Sequence, residues 1–97
     1  YNPLHPGVLR LIDMTISAGR KANTPVAMCG EMAGDKRYTR LLLGMGLNQF
    51  SMHPVMLLEI KSIVQSSNLA ELRKIAHKVL RCSDPDEINA LVDKMNA

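Results

Sequence analysis

Tryptophan is absent from this 97-residue sequence, and Phe50 is its one phenylalanine beside two tyrosines, Tyr1 and Tyr38. Proteins that grip single-stranded nucleic acid stack bases on aromatic side chains, so that mode has almost nothing to use here. Cysteine is nearly as scarce. Cys29 and Cys82 lie far apart and make no disulfide framework, which points to a reducing, cytoplasmic setting. His5, His53 and His77 show no paired spacing with each other or with the cysteines, so no metal site is expected from this chain. No apolar run approaches the roughly 18 residues of a membrane span, and no basic-then-apolar leader opens the sequence. Membrane insertion is not expected. A net charge of +3 permits contact with phosphates without demonstrating it.

What is present is apolar periodicity. Hydrophobic residues make up 46% of the chain, too many and too regularly placed for disorder. After an irregular Asn2-Pro-Leu-His-Pro6, the stripe of Val8, Ile12 and Ile16 predicts a helix from about residue 6 to 22. Arg20 and Lys21 suit its negative end, and Asn23-Thr24-Pro25 breaks it. Asp35 caps a second helix over about 36–44, with Tyr38, Leu41, Leu42 and Met45 inward. A third is expected from Pro54 to about Ser66. Asn68-x-x-Glu71 and Asp84-Pro85-x-Glu87 are the clearest start signals and open two terminal helices.

Between the helices, Val26-Ala-Met-Cys29 and Gln49-Phe-Ser-Met52 are short apolar runs that read as strands buried on both faces. A helical crossover between them makes the pair parallel. Two parallel strands cannot cover their own edges, so the expected fold class is α/β, a slice of a larger sheet or barrel. A first residue that is not Met agrees with an excised piece.

The chemistry concentrates in Met28-Cys-Gly-Glu-Met-Ala-Gly-Asp35. Cys29 ends a strand where α/β proteins place reacting groups, and Gly30 allows a ligand to approach closely. As a nucleophile, Cys29 needs a cationic partner and a lowered pKa. As a general acid it needs only to keep its proton, which an ordinary thiol does at neutral pH. No histidine in the segment serves obviously as a base, which favours the acid. A cysteine buried simply as a small hydrophobe fits the same spacing. His53 can reach the same mouth, although a capping or surface role suits it better. Cys82 has no helper and reads as structural. Arg73, Lys74, His77, Lys78 and Arg81 form a basic face that reads as solvated rather than as a nucleic-acid surface.

That segment, together with Leu41-Leu-Leu-Gly-Met-Gly-Leu47, Phe50-Ser-Met52 and the lead-in Tyr1-Asn-Pro-Leu-His-Pro6, resembles the C-terminal end of Enzyme I of the bacterial phosphotransferase system. The resemblance covers about residues 1–66 well, and the last two helices mainly in layout. It implies the C-terminal slice of a (β/α)8 TIM barrel, with Val26–Cys29 and Gln49–Met52 as strands 7 and 8 with their helices, plus two terminal helices over 67–97. It also implies a cytoplasmic, homodimeric enzyme serving sugar transport. Such an enzyme moves the phosphoryl group of phosphoenolpyruvate to its own histidine and on to a histidine phosphocarrier protein. Cys29 then maps onto the family's proton donor to the pyruvate enolate, with Gly30 and Glu31 in support. Magnesium is implied for the longer enzyme, its ligands lying before Tyr1 with the phosphoenolpyruvate-clamping arginines. The chain alone is therefore expected to be inactive. A non-catalytic dimerisation or structural module, and a related dikinase or synthase, are the alternatives. His53-Pro54 departs from the small residues many family members carry there.

Overall fold

The structure, a computed structural model, describes residues 2–97; Tyr1, at the head of the lead-in, lies outside the described residues. Among the described residues six helices follow one another: α1 (Pro6–Lys21), α2 (Glu31–Gly34), α3 (Lys36–Gly44), α4 (Pro54–Ser66), α5 (Leu69–Arg81) and α6 (Pro85–Met95). The sequence dictates their starts. Asp35 accepts from the Arg37 amide at 2.9 Å, Asn68 from Glu71 at 3.2 Å and Asp84 from Asp86 at 3.0 Å. Each satisfies a donor that the first helical turn leaves free. Two further caps are histidines. His5 Nδ1 accepts from the Gly7 amide at 3.0 Å and His53 Nδ1 from the Val55 amide at 3.3 Å, and a proline takes the next position in both.

Helix ends are equally local. At the end of α3, Leu47 N–H reaches the Leu42 carbonyl and Gly46 N–H the Leu43 carbonyl, both at 3.0 Å. This is a Schellman motif, with Gly46 at φ +103° in its left-handed position. Helix α1 ends in the same way around Asn23 at φ +54°, with Thr24 N–H on Gly19 O at 2.8 Å.

The α/β expectation is overturned. Among the described residues the fold is all-helical, with no strand and no sheet, and it is not a TIM-barrel slice. The two predicted strands are reduced to one isolated parallel bridge between Met28 and Phe50. Met28 N–H bonds to Gln49 O at 3.0 Å, and Ser51 N–H to Met28 O at 2.8 Å. The physical reason is that the four residues between Pro25 and Gly30 have one bridging neighbour and cover on one face only, where Val26 and Met28 pack against the core. Ala27 and Cys29 are exposed rather than buried on both faces. Gly30 precedes and Gly34 ends the one-turn helix α2.

Helix α3 is the centre of the packing. Leu41 and Leu42 are wholly buried and join Leu72, Ala76 and Val79 of α5 and Ile88 and Val92 of α6 in one core. The only buried polar side chain among the described residues, Thr39, turns its hydroxyl onto the Asp35 carbonyl at 3.5 Å. Around the core rim Arg37 bonds Asp93 at 2.6 Å and Asn89 at 3.0 Å, and Asn96 bonds back to the Arg37 carbonyl at 2.9 Å. These bonds lock α6 across α3.

At Gly44 the backbones of α3 and α5 touch. A Cβ there would run into the Leu72 carbonyl and lie 3.0 Å from the Ala76 methyl. Backbone cannot move aside as a flexible side chain does, so Gly44→Ala must spread the two helices. The expected loss is about 1–3 kcal/mol of unfolding free energy, read as a lowered urea midpoint with an unchanged slope.

Candidate functional site

The single parallel bridge sets the geometry of the site. By tying Met28 to Gln49 and Ser51, it brings the residue after each segment to a common mouth. Cys29 leads into Gly30, which at φ +83° and ψ −160° adopts a conformation open to glycine alone. Nothing lies within 4 Å of where a Cβ on Gly30 would be, so the turn leaves free space rather than packing. Helix α2 begins at Glu31 and buries Met32 and Ala33, which fixes the loop to the body of the fold.

The resulting cleft has a volume of about 780 Å³. It is lined by Cys29, Gly30 and Glu31 from the first segment, by Ser51, Met52 and His53 from the second, and by Met56 of α4. All three residues expected at the site from the sequence therefore share one cleft. Cys29 is a free, exposed thiol, which removes the reading of it as a buried hydrophobe. His53 does reach the mouth, but its Nδ1 is engaged in capping α4, so that nitrogen is not free to take a proton from Cys29. Lys36 also lines the cleft, and its ammonium lies 3.6 Å from Glu59 at an exposed pair. Sequence reasoning missed Lys36; its place in the first turn after the Asp35 cap was the available signal.

Magnesium is implied for a longer enzyme, with its ligands outside this chain. Among the described residues no three His, Cys, Asp or Glu side chains come together, and no step is drawn through a metal.

Cys82 is chemically distinct. It is half-buried, and its thiol donates to Glu87 Oε2 at 3.5 Å. Partial burial first, then the bond to Glu87, then the charges of Glu87 and Asp84, push its pKa up. A raised pKa means less thiolate at a given pH, and the thiolate is the reactive form. Under native conditions near neutral pH, iodoacetamide should therefore alkylate Cys29 well before Cys82. Glu87→Gln should narrow the gap by speeding Cys82, as read by mass spectrometry of the two peptides.

Residues 1–69 match the family model for the PEP-utilising enzyme, PEP-binding domain. The chain is 49% identical over 87 residues to the phosphoenolpyruvate-protein phosphotransferase of Cupriavidus necator, covering 90% of this chain and 15% of that protein. It is 42% identical over 93 residues to that of Mycoplasma capricolum, covering 96% and 16%. It is 40% identical over 97 residues to that of Listeria monocytogenes, covering 100% and 17%. The chain thus spans about a sixth of the length of these relatives, and its Cys29 cleft lies wholly inside the matched stretch. By sequence it belongs to the PEP-utilising enzymes, through their PEP-binding domain.

Proposed function

We propose that this chain is the cleft-bearing part of a longer phosphoenolpyruvate-protein phosphotransferase, in which Cys29 is the general acid. The observation that carries the reading is a free thiol exposed at the mouth of a cleft, beside a glycine whose conformation keeps the approach open. When phosphoenolpyruvate gives up its phosphoryl group to a histidine of the enzyme, pyruvate is left as its enolate, with electron density on C3. The Cys29 thiol delivers its proton to C3, and pyruvate departs. The thiolate is then reprotonated from water, which reaches the exposed cleft. Gly30 and Glu31 support the position of the thiol. The phosphorylated histidine passes its group to a histidine phosphocarrier protein. Two free thiols suit a reducing cytoplasm. No helix among the described residues is long and apolar enough to cross a membrane.

Positioning and charge neutralisation dominate phosphoryl transfer. Among the residues lining this cleft, Lys36 is the one lysine or arginine, and no arginine joins it. The 97-residue chain alone should therefore show no turnover of phosphoenolpyruvate. In the longer enzyme, Cys29→Ala should reduce exchange of the pyruvate C3 protons with solvent by about two to four orders of magnitude. The circular-dichroism melt should stay unchanged, because Cys29 is exposed. Exchange at the parent rate would remove Cys29 from the reaction.

A second observation favours a homodimer of the longer enzyme. Helix α4 buries only Ile60 and leaves Val55 77%, Leu57 53% and Leu58 80% exposed. Apolar patches of this kind mark interaction surfaces. Leu58→Glu should shift the longer enzyme from dimer to monomer in sedimentation velocity. A persistent dimer would place the contact elsewhere.

A further inference from the structure

The six arginines divide into two groups. Three are spent on the fold: Arg10 on the Cys82 carbonyl and the Ser83 hydroxyl, Arg37 on Asp93 and Asn89, and Arg40 on Asn96. The other three, Arg20, Arg73 and Arg81, have no ion pair and no side-chain hydrogen bond among the described residues. All three line a single groove of about 880 Å³ between α1 and α5, closed at one end by the turn after α3. His77 lies one helical turn from both Arg73 and Arg81, so α5 presents these three as one stripe. Across the groove, the Arg20 guanidinium lies where a side chain on Gly46 would otherwise stand. Asp13 is the only carboxylate lining it.

We propose that this groove binds a small phosphate-bearing ligand, at a place separate from the Cys29 cleft, with which it shares no residue. Three unpaired guanidiniums against one carboxylate leave a local excess of positive charge. The guanidinium fork matches phosphate oxygens two at a time. The volume falls in the range of small-molecule sites, about 300–1,000 Å³. Phe50 and Tyr38 do not line the groove, so it offers no platform for stacking bases. Arg20 and Arg81 stand in the last turns of their helices, where a positive charge also complements the helix dipole. Arg73, early in α5, has no such use, which makes it the discriminating residue.

The test follows the arginine side-chain signals of the chain by nitrogen-15 NMR as pyrophosphate is added at fixed ionic strength. Saturable shifts at Arg20, Arg73 and Arg81 are expected, with amide signals in the Cys29 cleft unmoved. Arg73→Gln and Arg81→Gln should each weaken binding roughly tenfold. Arg73→Lys should weaken it too, since the charge stays but the fork is lost. A Lys94→Gln control should bind as the parent chain does. Non-saturating shifts spread over every lysine and arginine would overturn the proposal, as would unchanged affinity in Arg73→Gln. So would tighter occupation of the same arginines by a duplex oligonucleotide or a glutamate-rich peptide. Stronger binding to phosphatidylglycerol vesicles than to free pyrophosphate would make the groove a lipid-headgroup contact and sink the free-ligand reading.

Discussion

Helices α3 and α5 meet with no side chain between them at Gly44, and the rest of the fold depends on that contact. Because the Leu72 carbonyl lies against Gly44, the neighbouring Leu41 and Leu42 sink fully into the core. Close-packed interiors transmit such displacements rather than absorb them, so a helix pair held apart by one methyl would unseat α6 as well. Arg37 and Asn96 reinforce the same axis from the rim, tying α6 to the side of α3 that α5 leaves free.

The two sites lie at opposite ends of this rod. Asp35, the α3 cap, borders the Cys29 cleft, while Gly44 to Leu47, at the other end, border the arginine groove. A nine-residue helix spans about 14 Å, so the sites are separate yet fixed to one rigid element. Helix α5 reaches only the groove, and α4 only the cleft. A change in how α3 packs is therefore felt at both.

Much of the helical layout was legible because helix starts are local. Asp35, Asn68 and Asp84 announce their helices within three residues, and the structure uses each as the sequence suggests. Of the two histidine caps, that of His53 agrees with the capping or surface role expected of it, while that of His5 was not read, since histidine is not among the usual capping residues. The repeated His-Pro pair at 5–6 and 53–54 was the available sign, and it gives His53-Pro54 a structural role. The strands failed for the opposite reason. An apolar run such as Val26–Cys29 states only that burial is wanted, and pairing partners must come from distant chain. Here one neighbour supplies a single bridge, so the run stays irregular and Cys29 stays exposed. The residues of the candidate site still share one cleft, because the bridge, rather than a sheet, aligns its two halves.

Exposure of Cys29 suits proton uptake from water, but it works against selective delivery to carbon. An enolate held in an open cleft meets solvent as readily as it meets the thiol, and enzymes exclude water at the moment of transfer. On the acid role proposed for Cys29 the cleft needs a cover, and bare apolar side chains of α4 stand near it. Met56 lines the cleft, while Val55 and Leu58, on the same turns of α4, stand bare. Val55 directly follows the proline after His53, which lines the cleft, so a partner that buries Val55 comes close to the cleft, whereas Leu58, two residues from Met56, stands on the other side of the helix. The proposed acid role of Cys29 and the proposed α4 interface are thus coupled through one helix. Removing the cover should raise the access of water to Cys29 even where the thiol itself is untouched.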